Sequence, residues 1–331
     1  MGFSTNILVK VARQILIYGG LTMTFIGIVG SLAIVFIFSR HPFNKSSCSI
    51  YIKVNGILSA LFLPLFYMPT IITNGFQINL ITLNNAFCKF LSSYGAFTVL
   101  SVLIINWFLL FDRFAISSRS ARIRSLSSKK IARVVVFSVL FVIFCLVALP
   151  SAIIFEKMPM GTNVTYICST KSRRFLLFGA LFYFPIVEGI LPIVLTIFFW
   201  LLTRKQVRNL CNEQFVRRFD RQLTRVYLFQ ILANAIASVP YATIILYRSI
   251  TFQTVRSPDK ENIVEFFRLM AIWLFYVQYC TDFYIYITIS KDVRVEVLKL
   301  LCSCPRLGFD HFTAAQSMYL PSSQSLKTAS H

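Results

Sequence analysis

Residues 88–114 read "CKFLSSYGAFTVLSVLIINWFLLFDRF". No side chain between Lys89 and Asp112 carries a charge. Wound as a helix at 1.5 Å per residue, the stretch from Cys88 to Asp112 is about 36 Å long. That is enough to cross the roughly 30 Å of hydrocarbon in a bilayer. The stretch therefore predicts a membrane span with a cysteine at one mouth and an acid beside a base at the other. Ionisable groups in or at the end of a span are costly, which marks Asp112 and Arg113 as functional candidates.

The rest of the chain has the same character. Of 331 residues, 56% are hydrophobic and 14% charged, and the mean hydropathy is +0.70. Soluble domains carry about a quarter charged residues, so this composition leaves too little polar surface to face water. Six further runs reach span length: 15–38, 50–72, 131–155, 176–202, 223–247 and 263–289. The fold expected is an all-α membrane protein, a seven-transmembrane helix bundle. Gln230 and Asn234 dilute the 223–247 run more than any other.

A net charge of +21 raises nucleic acid as a partner, but the bases lie mostly in short segments between apolar runs. Membrane proteins mark their cytoplasmic side in that way. About 21 bases fall on the side that holds the first, third and fifth loops and the C terminus, against nine on the other. The pattern predicts a multi-pass plasma-membrane protein with its N terminus outside and its C terminus in the cytoplasm, and no nucleic-acid partner. On that topology the sequon Asn163-Val164-Thr165 lies outside, where Asn163 is a glycosylation candidate.

Four segments follow. Residues 1–14 form a short extracellular N terminus, and 15–289 the bundle. Residues 290–304 carry Val293, Val297, Leu300 and Leu301 at helical spacing against Lys291, Arg294 and Lys299, the pattern of an interfacial amphipathic eighth helix. Cys302 and Cys304 after it are palmitoylation candidates. Residues 305–331 form a disordered cytoplasmic tail, rich in hydroxyls whose phosphorylation would recruit arrestin.

Enzymatic chemistry finds no support. The eight cysteines form no CxxC pair or Cys/His cluster, and His41, His311 and His331 lie outside the apolar runs. No metal site or cofactor is expected. Ionisable groups within or at the ends of the runs include Lys53, Asp112, Arg113, Glu188, Arg268 and Asp282. Lys53 and Arg268 lie near span ends, where long side chains reach the interface.

An ordered set of residues runs through these spans: Cys88, "DRF" at 112–114, Pro150, Cys168 in "YICST", Pro192, Pro240 and "DFYIY" at 282–286, followed by "SKDVRVEVLKLLCSC". In order and spacing it resembles the rhodopsin-like (class A) G-protein-coupled receptors over nearly the whole chain, to about Cys304. More narrowly it is similar to divergent invertebrate receptors grouped with the FMRFamide-type neuropeptide receptors. The resemblance implies a disulfide between Cys88 and Cys168 and a heterotrimeric G protein as partner. It implies that Asp112, Arg113 and Phe114 stand for the family's Asp/Glu-Arg-Tyr, and that Asp282 and Tyr286 stand for Asn-Pro-x-x-Tyr. Pro240 becomes the hinge of helix six. Asp220 becomes either the partner of Arg113 from across the bundle or a solvated acid among arginines.

The resemblance also implies an extracellular ligand in a cavity lined by Glu188, Phe184, Tyr241, Tyr276 and Gly95. Gly95 stands where amine receptors hold an aspartate, and Tyr276 where a retinal Schiff base needs a lysine. A monoamine and retinal are thereby disfavoured, and a peptide is expected, with Glu188 meeting a cationic group. The pattern departs from the family at Asn55 or Gly56, where an aspartate is usual, and at Asn234 and Ser238 in helix six. The usual sodium pocket is therefore in doubt, with Asp282 a substitute carboxylate. The rival class is a seven-helix transporter or channel. It would need an internal repeat or a polar path across the bundle, and neither is visible.

Overall fold

The computed structural model describes residues 2–41, 43–80, 84–116, 118, 120–160, 165–208, 214–251 and 257–302. Side chains at 2–4, 159–160, 165–167, 203–204, 206–228, 231–232, 235 and 301–302 are outside that description. Among the described residues, six helices are long and apolar enough to cross a membrane. They are α1 (Thr5–Ser39), α2 (Cys48–Asn74), α3 (Asn85–Ile116), α4 (Lys129–Ile154), α5 (Arg173–Leu202) and, after α6 (Gln214–Ile250), α7 (Pro258–Ile289). The expected 223–247 span lies within α6, whose described apolar part is the shorter Ile236–Ile250. The short helix α8 covers Lys291–Cys302.

Apolar surface covers the outside of these helices as well as the inside. Only 22% of the most apolar window of α4, and 17% of that of α5, is buried. Phe25, Phe137 and Ile153 stand more than 70% exposed. A helix apolar on all sides yet bare on most of them requires hydrocarbon as its solvent. The chain is a multi-pass membrane protein.

Two departures from the sequence reading concern element ends. The first helix begins at Gly2, not at residue 15. No proline interrupts residues 2–14, and Val9, Ala12 and Leu16 continue one buried stripe against Leu269 and Ile272 of α7. The segment between α4 and α5 is an antiparallel hairpin, β1 (Phe155–Met160) with β2 (Thr165–Thr170). Thr165, Tyr166, Ile167 and Thr170 are residues that favour a strand. Asn163 lies outside the described residues, as do Cys304 and residues 305–331; so does the side chain of Cys302.

Three helices widen into π turns at prolines. The π segments Leu63–Tyr67, Phe144–Ala148 and Gly179–Ile190 each end two residues before a proline, Pro69, Pro150 and Pro192. A proline lacks the N–H that would bond four residues back, and its ring crowds that carbonyl. Widening the preceding turn relieves both conflicts.

The core sits where α1, α2 and α7 meet. Leu16, Phe62, Leu63, Tyr67, Ile71, Leu269, Phe275, Tyr276 and Tyr279 are among its buried members. Gly56 lets α2 approach α1, since a Cβ there would stand 3.1 Å from the backbone oxygen of Ser31. Within α8, Lys299 pairs with Glu296 at 3.8 Å.

Candidate functional site

Helix α3 carries a different construction at each end. At its start, Cys88 is disulfide-bonded to Cys168 on β2, with the Cα atoms 5.6 Å apart. The Ser92 hydroxyl lies 3.2 Å from Cys168 Sγ, and the Lys157 amide of β1 donates to Asn85 Oδ1 at 3.0 Å. One covalent and two polar links thus tie the hairpin to the first turns of α3. At the base of the hairpin, Lys171 pairs with Glu156 at 2.9 Å and holds that carboxyl below its ordinary range.

At the other end Asp112 and Arg113 are buried, 4% and 5% exposed. Arg113 Nη2 lies 3.5 Å from Asp112 Oδ2 and donates to Ser46 Oγ at 3.1 Å. The Ser47 hydroxyl is 2.9 Å from both oxygens of Asp112, and Ser127 Oγ donates to Asp112 Oδ1 at 2.7 Å. The two hydroxyls are 2.9 Å apart.

Local structure frees these hydroxyls for the acid. Ser47 stands at the N-cap of α2 but makes no capping bond with its side chain, while Ser128, not Ser127, caps α4 by accepting from the Ile131 amide. Asp112 thereby clasps α3 to the start of α2 and to the turn before α4. Phe114, the third residue of the triplet, packs on Phe199 of α5 at 6.0 Å between ring centres.

Between these ends lies a cavity of about 50 Å³ bordered by α3, α5, α6 and α7, room for roughly three or four water molecules. Its polar lining is Asn106, Glu188, Gln230, Asn234, Ser238, Gln278 and Asp282. Gln230 Nε2 donates to Asp282 Oδ1 at 2.7 Å. Gln230 Oε1 is shut off from solvent with no hydrogen-bond partner among the described residues, and Glu188 lies beside the Tyr183 hydroxyl. Asn55 bonds Asn106 at 2.6 Å, so at the helix-two position where Asn55 and Gly56 were alternatives, Asn55 faces α3.

Of the five residues expected to line a ligand cavity, Glu188 lines this one. Phe184 packs edge-on against Tyr241 at 5.4 Å, Tyr241 stacks on Phe275 at 4.7 Å, and Tyr276 lies 4.2 Å from Tyr67. Gly95 faces the ring of Phe66. Asp282 reaches the cavity from α7, whereas Tyr286 is buried against Phe38 at 5.5 Å. Pro240 lies inside α6. Asp220 belongs to the same helix, but its side chain lies outside the described residues.

The sequence reading missed Ser46, Ser47 and Ser127 as partners of the charged pair. It saw Gln230 and Asn234 as impurities in an apolar run, and Asn234 as a departure from the family pattern, although residues four apart share one helix face and that polarity was the available signal. No protein-family model matches the chain.

Proposed function

We propose that the chain is a plasma-membrane receptor of the rhodopsin-like type, with α6 as a seventh crossing, the N terminus outside and the C terminus in the cytoplasm. A ligand, with a peptide favoured, binds from the Cys88 side and shifts a pre-existing equilibrium between bundle conformations. In the favoured conformation α6 swings about Pro240, Arg113 leaves its resting partners, and a cytoplasmic groove opens for a heterotrimeric G protein. In the resting state Asp220 supplies a further partner to Arg113 from α6. Glu188 pairs with a cationic group of the ligand.

The observation that carries this reading is the buried Asp112–Arg113 pair at one mouth of a span-length helix whose other mouth is bonded to Cys168. A pair of that kind is expensive to bury and makes sense where breaking it does something. The test is a nucleotide-exchange assay with heterotrimeric G proteins in membranes from cells expressing wild type or Arg113→Ala. A panel of short amidated peptides serves as ligand. The expected result is a ligand response in wild type that is lost in the variant at matched surface expression; equal responses in both overturn the reading.

A further inference from the structure

We infer that Ser127 is a phosphorylation site for an arginine-directed protein kinase, and that its modification opens the clasp on Asp112. The inference rests on the proposed topology only in that the turn before α4 faces the cytoplasm.

The local sequence is Arg122-Ile123-Arg124-Ser125-Leu126-Ser127-Ser128. It sets arginines three and five residues before Ser127, where a kinase with an acidic docking cleft takes bidentate ion pairs. Ser125 has arginines at minus three and minus one but none at minus five, and its hydroxyl donates to the Arg122 carbonyl at 2.7 Å. Ser128 has none at minus three and caps α4. The segment is also easily opened. The helix Ala121–Ser125 has five residues and buries none of them, far below the roughly 12–15 that hold a helix without packing. Leu126 stands 45% exposed.

In the transfer, Ser127 Oγ attacks the γ-phosphorus of ATP, the bond from that phosphorus to the ADP oxygen breaks, and the serine proton passes to a carboxylate of the kinase. The product carries a charge of about −1.5 to −2. Unmodified, the same oxygen sits 2.7 Å from Asp112, so the phosphate meets a carboxylate where a hydroxyl had donated to one. Repulsion drives the turn away from α3 and removes one of the two hydroxyls from Asp112.

The experiment treats the full-length protein in lipid nanodiscs with an arginine-directed kinase, magnesium and ATP, then maps phosphate by mass spectrometry and amide exchange by deuterium uptake. The expected result is phosphate on Ser127 at an initial rate about tenfold lower in Arg124→Ala. Amide exchange at 46–50 should rise about tenfold on phosphorylation in wild type and not in Ser127→Ala. Phosphate confined to Ser125 or Ser128 overturns the inference, as does phosphate on Ser127 with unchanged exchange at 46–50. Neither readout involves a G protein, so loss of the receptor reading in the Arg113→Ala assay leaves this result standing.

Discussion

At Cys88, helix α3 is joined to the hairpin by a covalent bond; 24 residues on, at Asp112, it is joined to α2 and to the turn before α4 by hydroxyl hydrogen bonds, beside an ion pair to Arg113 of the same helix. The first link survives any change in the charge or packing around it. The second depends on each of its members, because a buried carboxylate that loses a donor keeps its desolvation cost. One end of the helix is held permanently, and the other is the releasable end of the function proposed above.

The largest expected effect comes from leaving half of the releasable end in place. Asp112→Ala removes the acceptor shared by Ser47, Ser127 and Arg113 and leaves a buried guanidinium without its neighbouring carboxylate. Breaking a buried pair in that way costs about 3–5 kcal/mol. Thermal unfolding in nanodiscs should show that loss, while the double change Asp112→Leu with Arg113→Met, which removes both charges, should recover much of it. Equal losses in the single and double variants would mean that the pair is not an electrostatic unit.

At the permanent end, Cys168→Ser should cost about 2–4 kcal/mol, since the bond closes a long loop in the unfolded chain; the two cysteines are 80 residues apart. Deuterium uptake should rise in the hairpin and in the first turns of α3 and stay unchanged at 46–50. Spread of the effect to the Asp112 end would show that the two ends are coupled through the bundle.

The sequence makes the spans legible and the contacts between them mostly not. Helices α1 to α5 and α7 stand out because twenty or more apolar residues in a row have few other uses. In α6 the polar Gln230 and Asn234 line a cavity inside the bundle, so polarity that serves the interior reads in the sequence as a diluted span. Residues 155–170 offered two short strands and a proline, which a chain reading does not separate from a loop. Among eight cysteines the bond from Cys88 to Cys168 was visible only through the resemblance to a receptor pattern. Ser47 and Ser127 lie 65 and 15 residues from Asp112, and nothing local tells a serine that it will meet a buried acid.

The smallest of these effects sharpens the comparison along α3 itself. Near the permanent end, Gly95 faces the ring of Phe66 so closely that a Cβ would collide with it, and that ring stacks on Phe62 at 5.0 Å between centres. The collision meets a side chain rather than backbone, yet Phe66 also lies 6.2 Å from Tyr276, so it cannot turn without disturbing that neighbour. Gly95→Ala should cost about 1–3 kcal/mol, the usual range for overpacking a filled core. Phe66→Leu in the same chain should restore most of it by shortening the obstacle. A neutral Gly95→Ala would mean that the aromatic cluster yields readily and does not fix α3 near its Cys88 end.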